Sequence, residues 1–262
     1  MTRRNILAGA AASALSRIGA DAAESSGNNV FLELKQYQLH NSPEKQVQRL
    51  TEFLENSYSP AIGRASGKLI GAFNNLIGME APYLLTLTQY DSLTVMQSAL
   101  AKLASDSEYQ RALGSLDSGS GYPFLRQESS LLKTFDGMPQ PLLSPTSDTR
   151  PPRYFELRRY ESQTEATLVR KVKMFNSGEI GIFQRLGMRP VFFGETLIGE
   201  RMPNLYYMLS FDSWEARDEL WKKFGSDPEW KKLSSPAELH DDQIVSNISN
   251  VILRPLKFSL IR

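Results

Sequence analysis

Residues 30–37 read VFLELKQY, and residues 153–160 read RYFELRRY. Glu33, Leu34 and Tyr37 recur as Glu156, Leu157 and Tyr160, 123 positions further on. Later the spacing settles at 121: Arg64 recurs as Arg185, and Leu76-Ile77-Gly78 as Leu197-Ile198-Gly199. Pro82, Leu84, Asp91 and Ser92 recur as Pro203, Leu205, Asp212 and Ser213, and SDSEY from Ser105 returns as SDPEW from Ser226. A solenoid unit runs about 20–50 residues, so a period this long marks a repeated domain. The repeat constrains architecture. It names no reaction.

The 262 residues suffice for two domains of ordinary size, and 41% hydrophobic content lets each bury a core. A net charge of +1 gives no reason to expect a nucleic-acid surface. Arg158-Arg159 and Lys222-Lys223 read as solvated faces, because acids interleave with them. Cysteine is absent and only His40 and His240 are present, which excludes disulfides, thiol catalysis and a multi-histidine zinc site. No metal site and no cofactor is predicted.

The N-terminus reads MTRRNILAGAAASALSRIGADAAES. Arg3-Arg4 before a short, weakly apolar run resembles a twin-arginine export signal, and Ala20-Asp21-Ala22 has the small-x-small form of a cleavage site. Ile6 to Leu15 is too short to span a bilayer. The expectation is a signal peptide over 1–23 and a bacterial protein exported to the periplasm or beyond, with no transmembrane helix in the mature chain.

The second repeat is the clearer. Tyr154, Glu156, Arg158 and Tyr160 share one face of a strand, Phe155 and Leu157 the other, so the strand reads as half-buried. Thr164 caps a helix to about Phe175, which Gly178 breaks; a short helix resumes over 180–186 and ends at Gly187. Strands follow over 189–197 and 205–211. Asp212 or Ser213 opens a helix through Phe224, Asp227-Pro228-Glu229 opens another, and a last strand spans 246–253. The order is strand, helix, strand, strand, helix, strand, a ferredoxin-like unit with both helices on one face. The first repeat follows suit, with a strand over 31–39 and a helix opened by Ser42-Pro43-Glu44-Lys45 through about Ser57. Its Gly-rich middle, 63–78, is less strand-like; a strand over 83–90, a helix over 93–103 and a strand over 126–135 complete it.

The repeats occupy 29–137 and 153–262. Residues 138–152 hold five of the fourteen prolines and read as a semi-rigid linker. The expected fold class is α+β: two ferredoxin-like (βαββαβ) repeats whose antiparallel sheets cover each other's bare faces and close a barrel-like core within one chain.

Three stretches carry a family resemblance: YFELRRY (154–160), FQRLGMRPVFFGE (183–195) and LYYMLSFDSWEARDELWKKFGSDPEWKKL (205–233). They resemble the NIPSNAP family of the dimeric α/β-barrel superfamily. The likeness covers residues 153–258 and is weaker over 29–135, where Tyr109 stands for the tryptophan. It implies paired sheets forming an intrachain α/β barrel. It carries over no catalytic residues, and the superfamily holds oxygenases, isomerases and haem enzymes, so fold does not fix function.

A ligand site is expected in the second repeat, lined by Tyr160, Arg185, Glu195 and Tyr206. Tyr37, His40 and Arg64 form the nearest polar set of the first repeat. Each has a plainer alternative. Arg64 and Arg185 can simply salt-bridge Glu195 or a nearby acid, Glu195 and Glu200 can be surface turn acids, His40 an ordinary loop histidine, and Trp214, Trp221 and Trp230 packing residues. One of Tyr206 and Tyr207 should face the core and the other a cavity or the surface. The leading functional expectation is an exported protein binding a small apolar or aromatic molecule. A cofactor-independent or haem-assisted oxidoreductase or isomerase and a protein-interaction module are the alternatives. The sequence leaves homo-oligomer formation open.

Overall fold

The computed structural model describes residues 29–41, 43–78, 80–119, 121–145 and 151–262. The signal-peptide expectation lies outside these residues. The first half runs β1 (Phe31–Gln38), α1 (Gln46–Phe53), a π-helical turn (Leu54–Tyr58), α2 (Ser59–Arg64), β2 (Lys68–Ile77), β3 (Tyr83–Tyr90), α3 (Leu93–Ser105), α4 (Ser107–Asp117) and β4 (Arg126–Thr134). The second runs β5 (Tyr154–Glu161), α5 (Glu165–Met174), a π-helical turn (Phe175–Glu179), α6 (Ile180–Arg185), β6 (Arg189–Ile198), β7 (Asn204–Phe211), α7 (Trp214–Ser226) and α8 (Pro228–Leu233). A 3-10 turn (Ala237–Leu239), α9 (Asp241–Ile244) and β8 (Asn247–Pro255) complete it. No helix among the described residues is long and apolar enough to cross a membrane.

Local chemistry explains why these elements recur. Ser92 and Ser213 accept hydrogen bonds from the Val95 and Ala216 backbone N–H groups and open α3 and α7. Asp106 and Asp227 do the same for α4 and α8. Thr164 caps α5 in a capping box with Thr167. Gly187, at φ 83°, follows α6 in the left-handed region that favours glycine. Two expectations are corrected. Gly178 does not break the helix; it sits in the π-helical turn that carries α5 into α6. The first helix starts only at Gln46, because Lys45 adopts a left-handed φ of 53° at its N-cap.

Each half orders its strands alike, β4-β1-β3-β2 and β8-β5-β7-β6. The sheets meet face to face as expected, and their edges also zip together. β2 pairs with β8 and β4 with β6, both antiparallel, giving one closed eight-stranded barrel. Closure leaves no edge strand unpaired.

The barrel interior is apolar, built from Leu32, Leu34, Phe73, Leu87, Leu132, Phe155, Phe192, Met208 and Leu253 among others. The helices of each half cover the outer face of that half's strands and bury two further clusters. β5 is therefore buried on both faces, not one. Arg158 and Arg159 are no solvated face: Arg159 points into the barrel beside Leu157, and Arg158 points under the helices.

The two barrel ends differ. At the end where β2 and β6 begin, the stretch after β4 and the C-terminal tail cross over each other. Leu142 N–H donates to the Val191 carbonyl at 2.7 Å, and Ser144 N–H to the Leu260 carbonyl at 3.0 Å. Leu260 and Ile261 N–H groups both reach the Ile70 carbonyl at 3.1 Å. Ile261 packs into the interior core with Leu143 and Leu260 beside it, closing this end.

Candidate functional site

At the opposite end, where β2 turns into β3 and β6 into β7, the barrel opens on a cavity of about 470 Å³. Its walls are Leu34, Tyr83, Leu85, Leu157, Tyr206 and Val251, mostly members of the interior core. Its rim is polar and charged: Gln36, Glu80, Glu128, Glu200, Arg201, Asn247 and Asn250. Strand parity places them. Inward residues of β5 are Phe155, Leu157 and Arg159; inward residues of β7 are Tyr206 and Met208.

Arg159 is the anomaly on this apolar wall. Its side chain is 9% exposed. Nη1 donates to Glu200 Oε1 at 2.6 Å and to the Tyr206 hydroxyl at 3.2 Å. Nη2 reaches Ser249 Oγ at 3.3 Å, and buried Nε makes no hydrogen bond. Burial works against the guanidinium charge, but Tyr206 and Glu200 more than offset it and hold the pKa above its ordinary value. Burial pushes the Tyr206 hydroxyl up, and Arg159 pulls it part of the way back. Arg159 and Tyr206 are direct cross-strand partners; in the first half the corresponding partners are Gln36 and Leu85.

Glu200 stands on the β6–β7 turn. Buried Asn204 fixes that turn, donating from Nδ2 to the carbonyls of Glu200 at 2.8 Å and Arg201 at 3.0 Å. Thr196 in turn donates to Asn204 Oδ1 at 2.6 Å. On the first-half side of the rim, Arg126 pairs with Glu80 at 2.5 Å and Glu128 at 3.1 Å.

Of the residues expected to line a site, the structure puts only Tyr206 in this cavity. Tyr160 lies on the other face of β5, under the second-half helices, accepting from the Tyr207 hydroxyl at 2.9 Å and from Arg158 Nη2 at 3.2 Å. Tyr37 is its counterpart in the first half, edge-on to Phe124 at 5.4 Å. Arg64 and Arg185 are exposed and play the same part in each half. Arg64 pairs with Asp106 at 2.7 Å and Arg185 with Asp227 at 2.9 Å, tying α2 and α6 to the capping residues of α4 and α8. Glu195 faces a separate, smaller cavity of about 220 Å³ with Lys133, Asp136 and Asn176. His40 is exposed just past β1, where its backbone N–H donates to Gln46 Oε1 at 3.0 Å. These six do not converge with Tyr206. Residue 160 is one position from the inward parity of β5, and one position turns a strand side chain to the other face. Tyr207 and Tyr206 do face opposite ways, both buried.

Arg159 is the residue that sequence reading missed, and its parity with Phe155 and Leu157 was the available signal. A charge on the apolar side of a strand calls for a reason.

Under the second-half helices lie two buried ionic groups. Glu156, 0% exposed, accepts from Arg217 Nε at 2.8 Å and Nη2 at 2.9 Å, from Arg158 Nη1 at 2.7 Å and from Trp221 Nε1 at 3.0 Å. Lys171 and Glu179 pair at 3.1 Å with side chains only 1% and 2% exposed. The Lys171 ammonium stands 4.9 Å from the Phe175 ring centroid and 5.5 Å from those of Tyr160 and Trp230. Neither group lines the mouth cavity. Trp221 and Trp230 pack here, and Trp214 lies against Tyr154 at 5.4 Å. No cluster of three metal-ligating side chains occurs among the described residues.

Residues 155–260 match the NIPSNAP family model. The match lies within the second half and includes Arg159 and Tyr206. No curated protein matches the chain. Among solved structures, a putative monooxygenase from Lactobacillus acidophilus NCFM is similar over 87% of this chain and 94% of its own, at 10% identity and a TM-score of 0.55. An anthrone oxidase-like protein is similar over 87% and 92%, at 12% identity and a TM-score of 0.50. A NIPSNAP family protein from Agrobacterium tumefaciens str. C58 aligns with 42% of this chain and 94% of its own, at 22% identity and a TM-score of 0.37. The first two likenesses concern the fold alone.

Proposed function

We propose that this NIPSNAP-like protein binds a small molecule with an apolar or aromatic body in the mouth cavity of its barrel. The observation that carries the reading is the cavity itself. It is about 470 Å³, walled by core leucines and tyrosines, with one buried guanidinium set among them. Pockets of roughly 300–1,000 Å³ with apolar walls and a few placed polar groups are the usual form of small-molecule sites. The closed opposite end leaves the mouth as the route in.

Native mass spectrometry of the protein from its own host tests this. A co-purifying molecule should appear in the wild type and be lost in Leu85→Trp. That substitution fills the wall at the place where the other half carries the aromatic Tyr206, and an unchanged unfolding midpoint in the variant checks that the barrel still folds. A molecule released unchanged marks a binding protein, and an altered one marks catalysis. A bare protein mass, with no uptake of added aromatic probes and no difference in the variant, defeats the reading.

Export belongs to the same proposal and rests on Arg3-Arg4 before a weak apolar run. Replacing both with lysine should leave the precursor in the cytoplasm. Unchanged export would show that the twin-arginine route is not used.

A further inference from the structure

We propose that Arg159 receives the carboxylate of the ligand, and that Glu200 fills this place as an internal counter-ion until the ligand arrives. The inference rests on the mouth-cavity reading and specifies its ligand: a compact monocarboxylate with an aromatic or aliphatic body.

Arg159 is not needed to build the wall. The corresponding wall position of the first half is Gln36, within the same barrel. A buried guanidinium must have a counter-charge nearby, because an unpaired buried ion is strongly disfavoured. Glu200 supplies it, but in a form suited to release. Its contact is through one carboxylate oxygen and Nη1. Its side chain is 45% exposed. The turn beneath it is held by Asn204, so the carboxylate can swing outward by side-chain rotation with the backbone in place. An alternative partner waits on the same turn: Arg201 Nε lies 3.9 Å from Glu200 Oε2.

The guanidinium is also under-used. It has five N–H donors in a planar fork that matches a carboxylate. Nε is without a hydrogen bond and Nη2 has only the 3.3 Å contact to Ser249. Arg217, by contrast, grips Glu156 through both Nε and Nη2, at 2.8 and 2.9 Å. The other acid facing Arg159 is Glu161, 3.5 Å from Nε, which does not line the cavity and accepts from Asn247 at 3.0 Å. Glu80 and Glu128 are occupied by Arg126. Arg159 and Arg201 are the only cations among the described lining residues, and only Arg159 is buried against the apolar wall.

The test is calorimetric titration of the full mature chain with 2-naphthoate, phenylacetate and octanoate, each against its primary amide. The acids should bind roughly tenfold or more tightly than the amides, as a charged hydrogen-bonded pair requires. Arg159→Gln, which copies the first half, should abolish that preference while amide binding persists. Glu200→Gln should tighten acid binding several-fold and widen the preference for acid over amide. Amides binding as well as acids, or Glu200→Gln weakening the acids, overturns the carboxylate assignment and leaves the cavity reading standing. If no acid and no amide binds, the cavity reading falls and takes this inference with it.

Discussion

Replacing Glu156 with alanine lowers the unfolding free energy by about 3–5 kcal/mol, the usual loss when one partner of a buried ionic group is removed. Glu156 is fully buried and bonded by Arg217, Arg158 and Trp221. Without it two guanidiniums face each other beneath the helices, and Arg158, 12% exposed with an unbonded Nε, cannot recover its hydration. Burial pushes the Glu156 carboxyl up, but Arg217, Arg158 and Trp221 outweigh it and leave the pKa below the ordinary value. A carboxyl depressed in the folded state stabilises above its unfolded pKa and loses that contribution as pH falls through the folded one. The gap between wild type and variant should therefore be full near neutral pH and narrow in acid. Urea unfolding at neutral and acid pH measures it. A gap below about 1 kcal/mol at pH 7, typical of an exposed pair, would mean that the network contributes little.

Lys171→Met should cost a similar amount, about 3–5 kcal/mol, by leaving Glu179 buried without its hydrogen-bonded counter-charge. The gap again closes in acid, but here because the carboxyl left behind is raised rather than depressed. Burial already raises the Glu179 pKa, although Lys171 works against that. Removing Lys171 raises it further. A carboxyl raised in the folded state stabilises below its unfolded pKa and loses that contribution as pH rises through the folded one. The variant should thus be most impaired at neutral pH and recover in acid. Adding Glu179→Leu should restore most of the loss at pH 7, because well-packed apolar replacements of buried pairs are often neutral or stabilising. The first half shows such a solution: Leu50 and Tyr58 stand at the corresponding positions, with the Tyr58 hydroxyl on Thr88 at 3.1 Å. A double variant no more stable than Lys171→Met would refute this account.

Architecture was legible because it is written in spacing. Ser92 and Ser213, Asp106 and Asp227, and Arg64 and Arg185 recur at one interval, and each pair has the same structural task in both halves. The site was less legible for a local reason. Alternation divides β5 into two faces but does not say which faces inward when both are covered. Glu156, Arg158 and Tyr160 make the more polar face of that strand, and it is this face that lies cross-braced under helices. Along the chain Arg159 reads as half of a surface basic pair, because a doublet hides the fact that its members point opposite ways. Gly178 read as a break because helix propensity penalises glycine, whereas a π-helical turn already departs from the regular ladder there.

Arg159–Tyr206 and Gln36–Leu85 are unlike cross-strand pairs at matching places in the two halves. A barrel assembled from two identical chains carries a dyad, and every side chain off that axis has a twin. An arginine on such a wall would face its own copy across the cavity, and a ligand would see two indistinguishable ways to lie. With both halves in one chain, the twin of the arginine is an amide and the twin of the tyrosine is a leucine. The cavity therefore has a polarity of its own, and an occupant meets one wall with a buried charge and one without. Its two ends are told apart by the chain itself.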